Sequence, residues 1–306
     1  MSATEGPHNR PTTAANPVTN RREGSTPRDH PPHSRPPIAA IVMAFIAVAV
    51  LGLPLVGLLQ RTPWSSLATT LGEAGTLEAL RVSVVVSLAA AVVSAVLGLP
   101  LAWVLARMPF RGRALVRALV LLPMVLPPVV GGIALFFALG RRGLIGRALH
   151  NGFGVDTLIG TTPGAVIAAA FVSMPFFVIT AEAGMRQLDP RLESAAATLG
   201  AGRWTVLRRI TVPLLAPSLA AGITLSWARA LGEFGATITF AGNHPGRTRT
   251  LPLAIAQANE AGRPEAAIAM SVLLIGVSLL VLIGLRHRWV APRSPHPAGL
   301  AETPRP

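Results

Sequence analysis

Cysteine is absent from the 306 residues, so the chain forms no disulfide, offers no thiolate nucleophile and holds no cysteine-ligated metal. Lysine is absent too, and all 27 basic residues are arginine. A Walker A phosphate loop requires a lysine, so ATP hydrolysis linked to this chain has to come from another polypeptide. Charge of either sign is scarce, at 13% of residues against 51% hydrophobic, and the mean hydropathy is +0.54. No H-E-x-x-H occurs and no histidine falls within an apolar run, which weakens the case for a membrane enzyme. No catalytic residue, metal ligand or resident cofactor is expected. What the sequence does have is a series of apolar runs near the roughly 20 residues that cross a bilayer. The fold expected is therefore an all-α polytopic membrane protein.

The net charge of +14 could suggest a nucleic-acid ligand, but the arginines cluster in short segments flanking apolar runs. Residues 1–37, rich in Pro, Arg, Thr and His, read as a disordered tail rather than a signal peptide. Six spans are expected at about 38–59, 82–105, 118–139, 164–183, 213–240 and 265–285, with a tail from 286 to 306. Five arginines lie in the N-terminal tail, four in the second connection, five in the fourth and four in the C-terminal tail, against seven in the other connections. The positive-inside rule then places both termini in the cytoplasm, together with residues 107–117 and the stretch between the fourth and fifth spans.

Within the spans, Ser87, Ala91 and Ala95 form one row of small residues and Ala90, Ser94 and Gly98 the next, a pattern that allows close helix packing. The third span carries Pro123, Pro127, Pro128 and Gly131-Gly132, so a kinked helix buried in the bundle is expected. Arg229 and Glu233 fall four apart deep in the fifth span, either as a structural ion pair or as lining of the outer translocation path. Gly232 and Gly235 flank that site, and Met124, Phe136, Phe137 and the segment Gly232 to Thr237, including Phe234, are gate candidates.

The polar stretch DPRLESAAATLGAGRWTVLRRITVP, residues 189–213, separates the fourth and fifth spans. Asp189 is placed to cap a helix that Pro190 begins, and Gly200 to end it with a left-handed residue. Leu192, Ala196 and Leu199 give that helix one narrow apolar stripe, and a second short helix is expected from Arg203 to Ile210.

Ala195-Ala196, three residues, Gly200, nine residues, then Ile210-Thr211-Val212-Pro213 resembles the EAA loop of binding-protein-dependent ABC importer permeases. Ser194 stands where that family usually has its acidic residue, with Glu193 one position earlier, and Val212 replaces leucine. LPMVLPPVVGGIALFFALGRRGLIG, WARALGEFGATITFAGN and TRTLPLAI extend the resemblance over about 75–285, toward the molybdate and sulfate group of permeases. Gly232-Glu233-Phe234-Gly235-Ala236-Thr237 is closer to the molybdate branch; a sulfate or thiosulfate permease is the alternative, and an ion-coupled secondary transporter a more distant one.

The resemblance implies a type I ABC importer permease acting on molybdate or tungstate as a homodimer in the cell membrane. Its partners would be two cytoplasmic ATPase subunits, which use ATP and Mg, and an extracytoplasmic binding protein. It gives ATPase coupling to a short cytoplasmic helix, carried here onto Asp189, Glu193, Ser194, Ala195, Ala196, Gly200, Arg203 and Pro213.

Overall fold

The structure is a computed structural model that describes residues 38–154 and 157–289. The tail expected over 1–37 and residues 290–306 lie outside the described residues. The chain divides into two compact units after Gly52. The described part of the first is the leading portion of α1 (Ile38–Gln60), an apolar helix with no buried residue.

The regular elements of the second unit, among its described residues, are all helical. In order it contains the end of α1, α2 (Leu67–Gly72), α3 (Ala74–Arg107), α4 (Arg113–Val125), α5 (Pro128–Leu139), α6 (Leu144–Phe153) and α7 (Thr162–Gln187). Then follow α8 (Pro190–Thr198), α9 (Arg203–Val206), a π-helical turn (Leu207–Thr211), α10 (Val212–Leu231), α11 (Gly235–Phe240), α12 (Leu251–Glu260) and α13 (Pro264–Trp289). Among the described residues, six helical stretches are long and apolar enough to cross a membrane: Ile38–Gln60, Ala74–Arg107, Pro128–Ala148, Thr162–Gln187, Arg203–Leu231 and Pro264–Val281.

The core is built on α7, which packs against both α3 and α10. Small side chains set the spacing at one end, where Ala90 of α3, Ala165, Ala169 and Ala170 of α7 and Ala230 of α10 share a buried cluster. Ser94 and Ser173 hydrogen-bond between α3 and α7 at 3.2 Å, satisfying two hydroxyls in an otherwise apolar contact. A Cβ on Gly98 would stand 2.8 Å from Phe177 Cδ1, so this position admits no side chain without displacing the ring. Farther along, Ala102 and Leu105 pack with Phe177, Val178, Ala181, Met185 and Leu215. On the other flank Trp227 and Leu231 of α10 pack with Ala91 and with Leu274 and Val277 of α13.

Several element ends differ from the sequence expectation. Residues 118–139 are two helices, because Pro127 and Pro128 supply no N–H and push the preceding residue into extended backbone. Leu126 (ψ 137°) and Pro127 (ψ 132°) form that break. α3 begins eight residues before 82, since nothing between Glu73 and Arg81 stops a helix where the apolar run gives out. The fifth membrane stretch begins at Arg203, ten residues before Pro213, and ends at Leu231 rather than 240. The connections 140–162 and 242–264 contain α6 and α12, and α13 carries helical structure to Trp289, past the expected boundary at 285.

Candidate functional site

One end of the second unit gathers the last turn of α3, the start of α4, the last turn of α7, and α8 with α9. Asp189 caps α8, its carboxylate accepting from the Arg191 N–H at 2.9 Å. Pro190 occupies the first helical position, where its missing N–H leaves nothing unsatisfied. At the other end Gly200 takes φ +84°. Gly200 N–H bonds Ala197 O and Ala201 N–H bonds Ala196 O, both at 3.0 Å, the paired closure that a left-handed glycine makes possible. The helix is thus fixed at both ends by its own sequence, yet none of its residues is buried. Leu192 and Leu199 are 48% and 89% exposed and Trp204 of α9 is 71% exposed, so the apolar groups of this element face outward. Ser194 and Ala195 are exposed, with Ala196 half-buried.

Glu193 turns the other way. One carboxylate oxygen receives Arg107 Nη2 from the end of α3 at 3.3 Å and the Thr211 hydroxyl at 2.9 Å. Thr211 closes the π-helical turn, in which the Val212 N–H reaches back five residues to Leu207 O. Pro213, lacking an N–H, follows directly, so the wider turn falls where a regular hydrogen-bond ladder has to be interrupted. Behind α8 lies a cavity of about 700 Å³ lined by Trp103 and Leu99 of α3, Glu193, Arg203, Thr211 and Leu215, among others. A second ionic cluster stands beside it: buried Glu182 of α7 pairs with Arg117 of α4 and with Arg186 at 2.8 Å.

The other predicted region lies where α10 stops. Gly232, Glu233 and Phe234 form a break between α10 and α11. The Glu233 side chain is 2% exposed; it pairs with Arg229 Nη1 at 2.7 Å and accepts the Ala236 N–H at 2.8 Å. One carboxylate therefore neutralises Arg229 in the last turn of α10 and caps the first turn of α11. Arg229 keeps 28% of its side chain exposed. Gly235 abuts the other broken element: its Cβ would lie 2.9 Å from Pro128 Cβ, and one on Gly132 would lie 2.7 Å from Thr239 Cβ. The two breaks, at Leu126–Pro127 and at Gly232–Phe234, hence meet, and α5 and α11 pack as a pair of short helices. Thr237 of α11 is buried, while Gly232 and Phe234 border a cavity of about 580 Å³ shared with α12 and α13. Of the aromatic gate candidates, Phe136 and Phe137 meet edge to face at 5.9 Å, and Phe137 and Met124 are exposed.

The predicted residues thus separate into two groups, with Asp189, Glu193, Ser194, Ala195, Ala196, Gly200, Arg203 and Pro213 around α8, and Arg229, Gly232, Glu233, Phe234, Gly235 and Thr237 around the α10–α11 break. The sequence alone does not single out Arg107 and Thr211 as partners of Glu193, nor the close approaches of Gly132 to Thr239 and of Gly235 to Pro128. The available signals were general ones: an arginine closing an apolar run, a threonine before Val-Pro, and a glycine pair after a proline pair.

The model of the family described as binding-protein-dependent transport system inner membrane component matches residues 98–293. The chain belongs to this family. Among its relatives is the molybdenum transport system permease protein ModB of Mycobacterium tuberculosis, 44% identical over 259 residues, covering 85% of this chain and 97% of the relative. The protein of the same name from Escherichia coli is 42% identical over 222 residues, covering 72% and 96%. Among solved structures, a bacterial ABC transporter that imports the acidic polysaccharide alginate is similar at TM-score 0.66 and 20% identity, over 82% of this chain and 93% of that one. The MetNI methionine ABC transporter in inward-facing conformations is similar at TM-score 0.53 and 19% identity, over 70% and 96%. These likenesses give the family member the fold of ABC importer transmembrane subunits, an all-α multi-pass membrane protein.

Proposed function

We propose that this chain is the transmembrane permease of an ATP-driven importer of molybdate or tungstate, working as a homodimer with both termini in the cytoplasm. The observation that carries the mechanism is α8: a short helix clamped at both ends, with no buried residue and its apolar side chains outward. Such an element has the form of a surface made to be covered by another protein. Two cytoplasmic ATPase subunits are the partners of the two α8 helices, and an extracytoplasmic binding protein delivers the anion at the opposite face. The substrate rests on relatives named for molybdenum transport that align over nearly their whole length.

In this reading ATP binding draws the two ATPase subunits together and moves the α8 helices with them. The inner ends of α3, α7 and α10 follow, and the path between the two permeases changes the side it opens to. The permease performs no covalent step; nucleotide and Mg belong to the ATPase. The α5 and α11 pair, set on facing helix breaks near Arg229, forms part of the path wall. The test is uptake of radiolabelled molybdate into vesicles carrying this chain with its ATPase and binding protein. ATP-dependent uptake resistant to excess sulfate supports the proposal. Uptake abolished by modest sulfate moves the substrate to sulfate, and uptake driven by an ion gradient without ATP overturns the mechanism.

A further inference from the structure

The problem posed by α8 is mechanical. A helix with no buried residue, standing over a cavity of about 700 Å³, has little apolar packing through which to push the membrane helices. Its polar links to α3 and to the start of α10 pass through one side chain, Glu193, by way of Arg107 at 3.3 Å and Thr211 at 2.9 Å. Thr211 differs from three threonines in the helix interiors. Thr180, Thr224 and Thr239 return their hydroxyls to the carbonyl four residues back, whereas Thr211 donates across to Glu193. The π-helical turn ending at Thr211 gives that position a setting distinct from an ordinary helical threonine. Thr211 is 6% exposed, so it is shielded from any protein docked on α8.

We infer that Glu193 is a latch facing into the permease, with Arg107 and Thr211 as positioning residues, and that it carries displacement of α8 to α3 and α10 together. The inference rests on the coupling role proposed for α8 and deepens it. A charge-assisted bond from one carboxylate to two elements makes them move in register, where two separate contacts would let one slip. The cavity leaves room for α8 to shift without compressing side chains, so the latch sets how much of the motion is passed on. In this account Glu193 is a positioning residue within the permease, and the ATPase meets the outward Leu192, Ala195 and Leu199 face instead.

The quantity to measure is molybdate transported per ATP hydrolysed, with the complete importer in vesicles. Glu193→Gln and Thr211→Val are each expected to lower that ratio by about fivefold or more, the lower end of a typical coupling between sites. Thr211→Ser, which keeps the hydroxyl, is expected to hold it within about twofold, and the exchange Arg107→Glu with Glu193→Arg to restore most of what the single changes lose. A Thr211→Val importer at the wild-type ratio overturns the latch, as does a Thr211→Ser importer that falls as far as Thr211→Val. Transport and hydrolysis that decline in proportion also overturn it. If the wild-type complex neither hydrolyses ATP nor moves molybdate, the proposed function fails instead, which the same assay reveals before any variant is compared.

Discussion

Removing Arg229 and removing the charge of Glu233 should have unequal consequences, because the two partners are buried to different degrees. Glu233 is 2% exposed and Arg229 28%. In Arg229→Met the carboxylate loses its cation but not its place in the fold, and keeps only the Ala236 N–H. Stranding one member of a buried pair typically destabilises by 3–5 kcal/mol, and with one bond remaining the expected loss is about 3 kcal/mol. Glu233→Gln keeps a carbonyl for the Ala236 N–H and leaves an arginine that already reaches the surface, so about 1 kcal/mol is expected. The double variant strands no charge and should resemble Glu233→Gln alone. Reversible unfolding in mixed micelles, run as a double-mutant cycle, gives all three values, with an expected coupling of about 3 kcal/mol in magnitude. Equal losses from the two single variants, or a double variant equal to their sum, would refute the assignment of Glu233 as a buried, shared cap.

Gly132→Val should destabilise by about 1–3 kcal/mol and reduce transport, since its Cβ would meet Thr239 Cβ at 2.7 Å and Ala236 O at 2.9 Å; thermal unfolding with uptake checks this. Gly200→Glu keeps open space around the side chain but forces a left-handed L-residue at about 1–2 kcal/mol, and adds charge beside the apolar face. It should abolish transport while membrane insertion stays normal, and normal uptake by an inserted variant would contradict the role of α8. Glu182→Ala should cost about 2 kcal/mol, less than a fully buried pair, because Arg117 and Arg186 are 40% and 45% exposed and turn to water. Either arginine changed alone should have a smaller effect, as Glu182 keeps the other; unfolding curves of the three variants decide it.

The ends of α8 are legible in sequence because they are local chemistry: Asp189-Pro190 starts a helix and Gly200 stops one within a few residues. The membrane stretches are legible for a similar reason, since apolar length is a local property. The breaks were less so. Pro127-Pro128 announces an interruption but does not say whether the helix bends or divides, and the latter depends on what meets it, here Gly235. Glu233 read as a mid-helix charge four residues from Arg229; the pair forms at that spacing, yet Glu233 sits just past the end of α10, where it also serves α11. The partners of Glu193 are 86 and 18 residues away. Contacts at such separations are fixed by helix packing, which no window of sequence contains.

Docking of the ATPase on α8 is directly testable in the native background, because the chain has no cysteine. Single substitutions Ala195→Cys and Leu199→Cys, with Asn259→Cys in α12 as a control at the opposite end, are paired with an ATPase carrying one surface cysteine, and disulfide cross-linking is followed in the assembled importer. Cross-links are expected from positions 195 and 199, changed in yield by ATP, and none from 259. Cross-linking from 259, or none from either position in α8 of a complex that still transports, would contradict it.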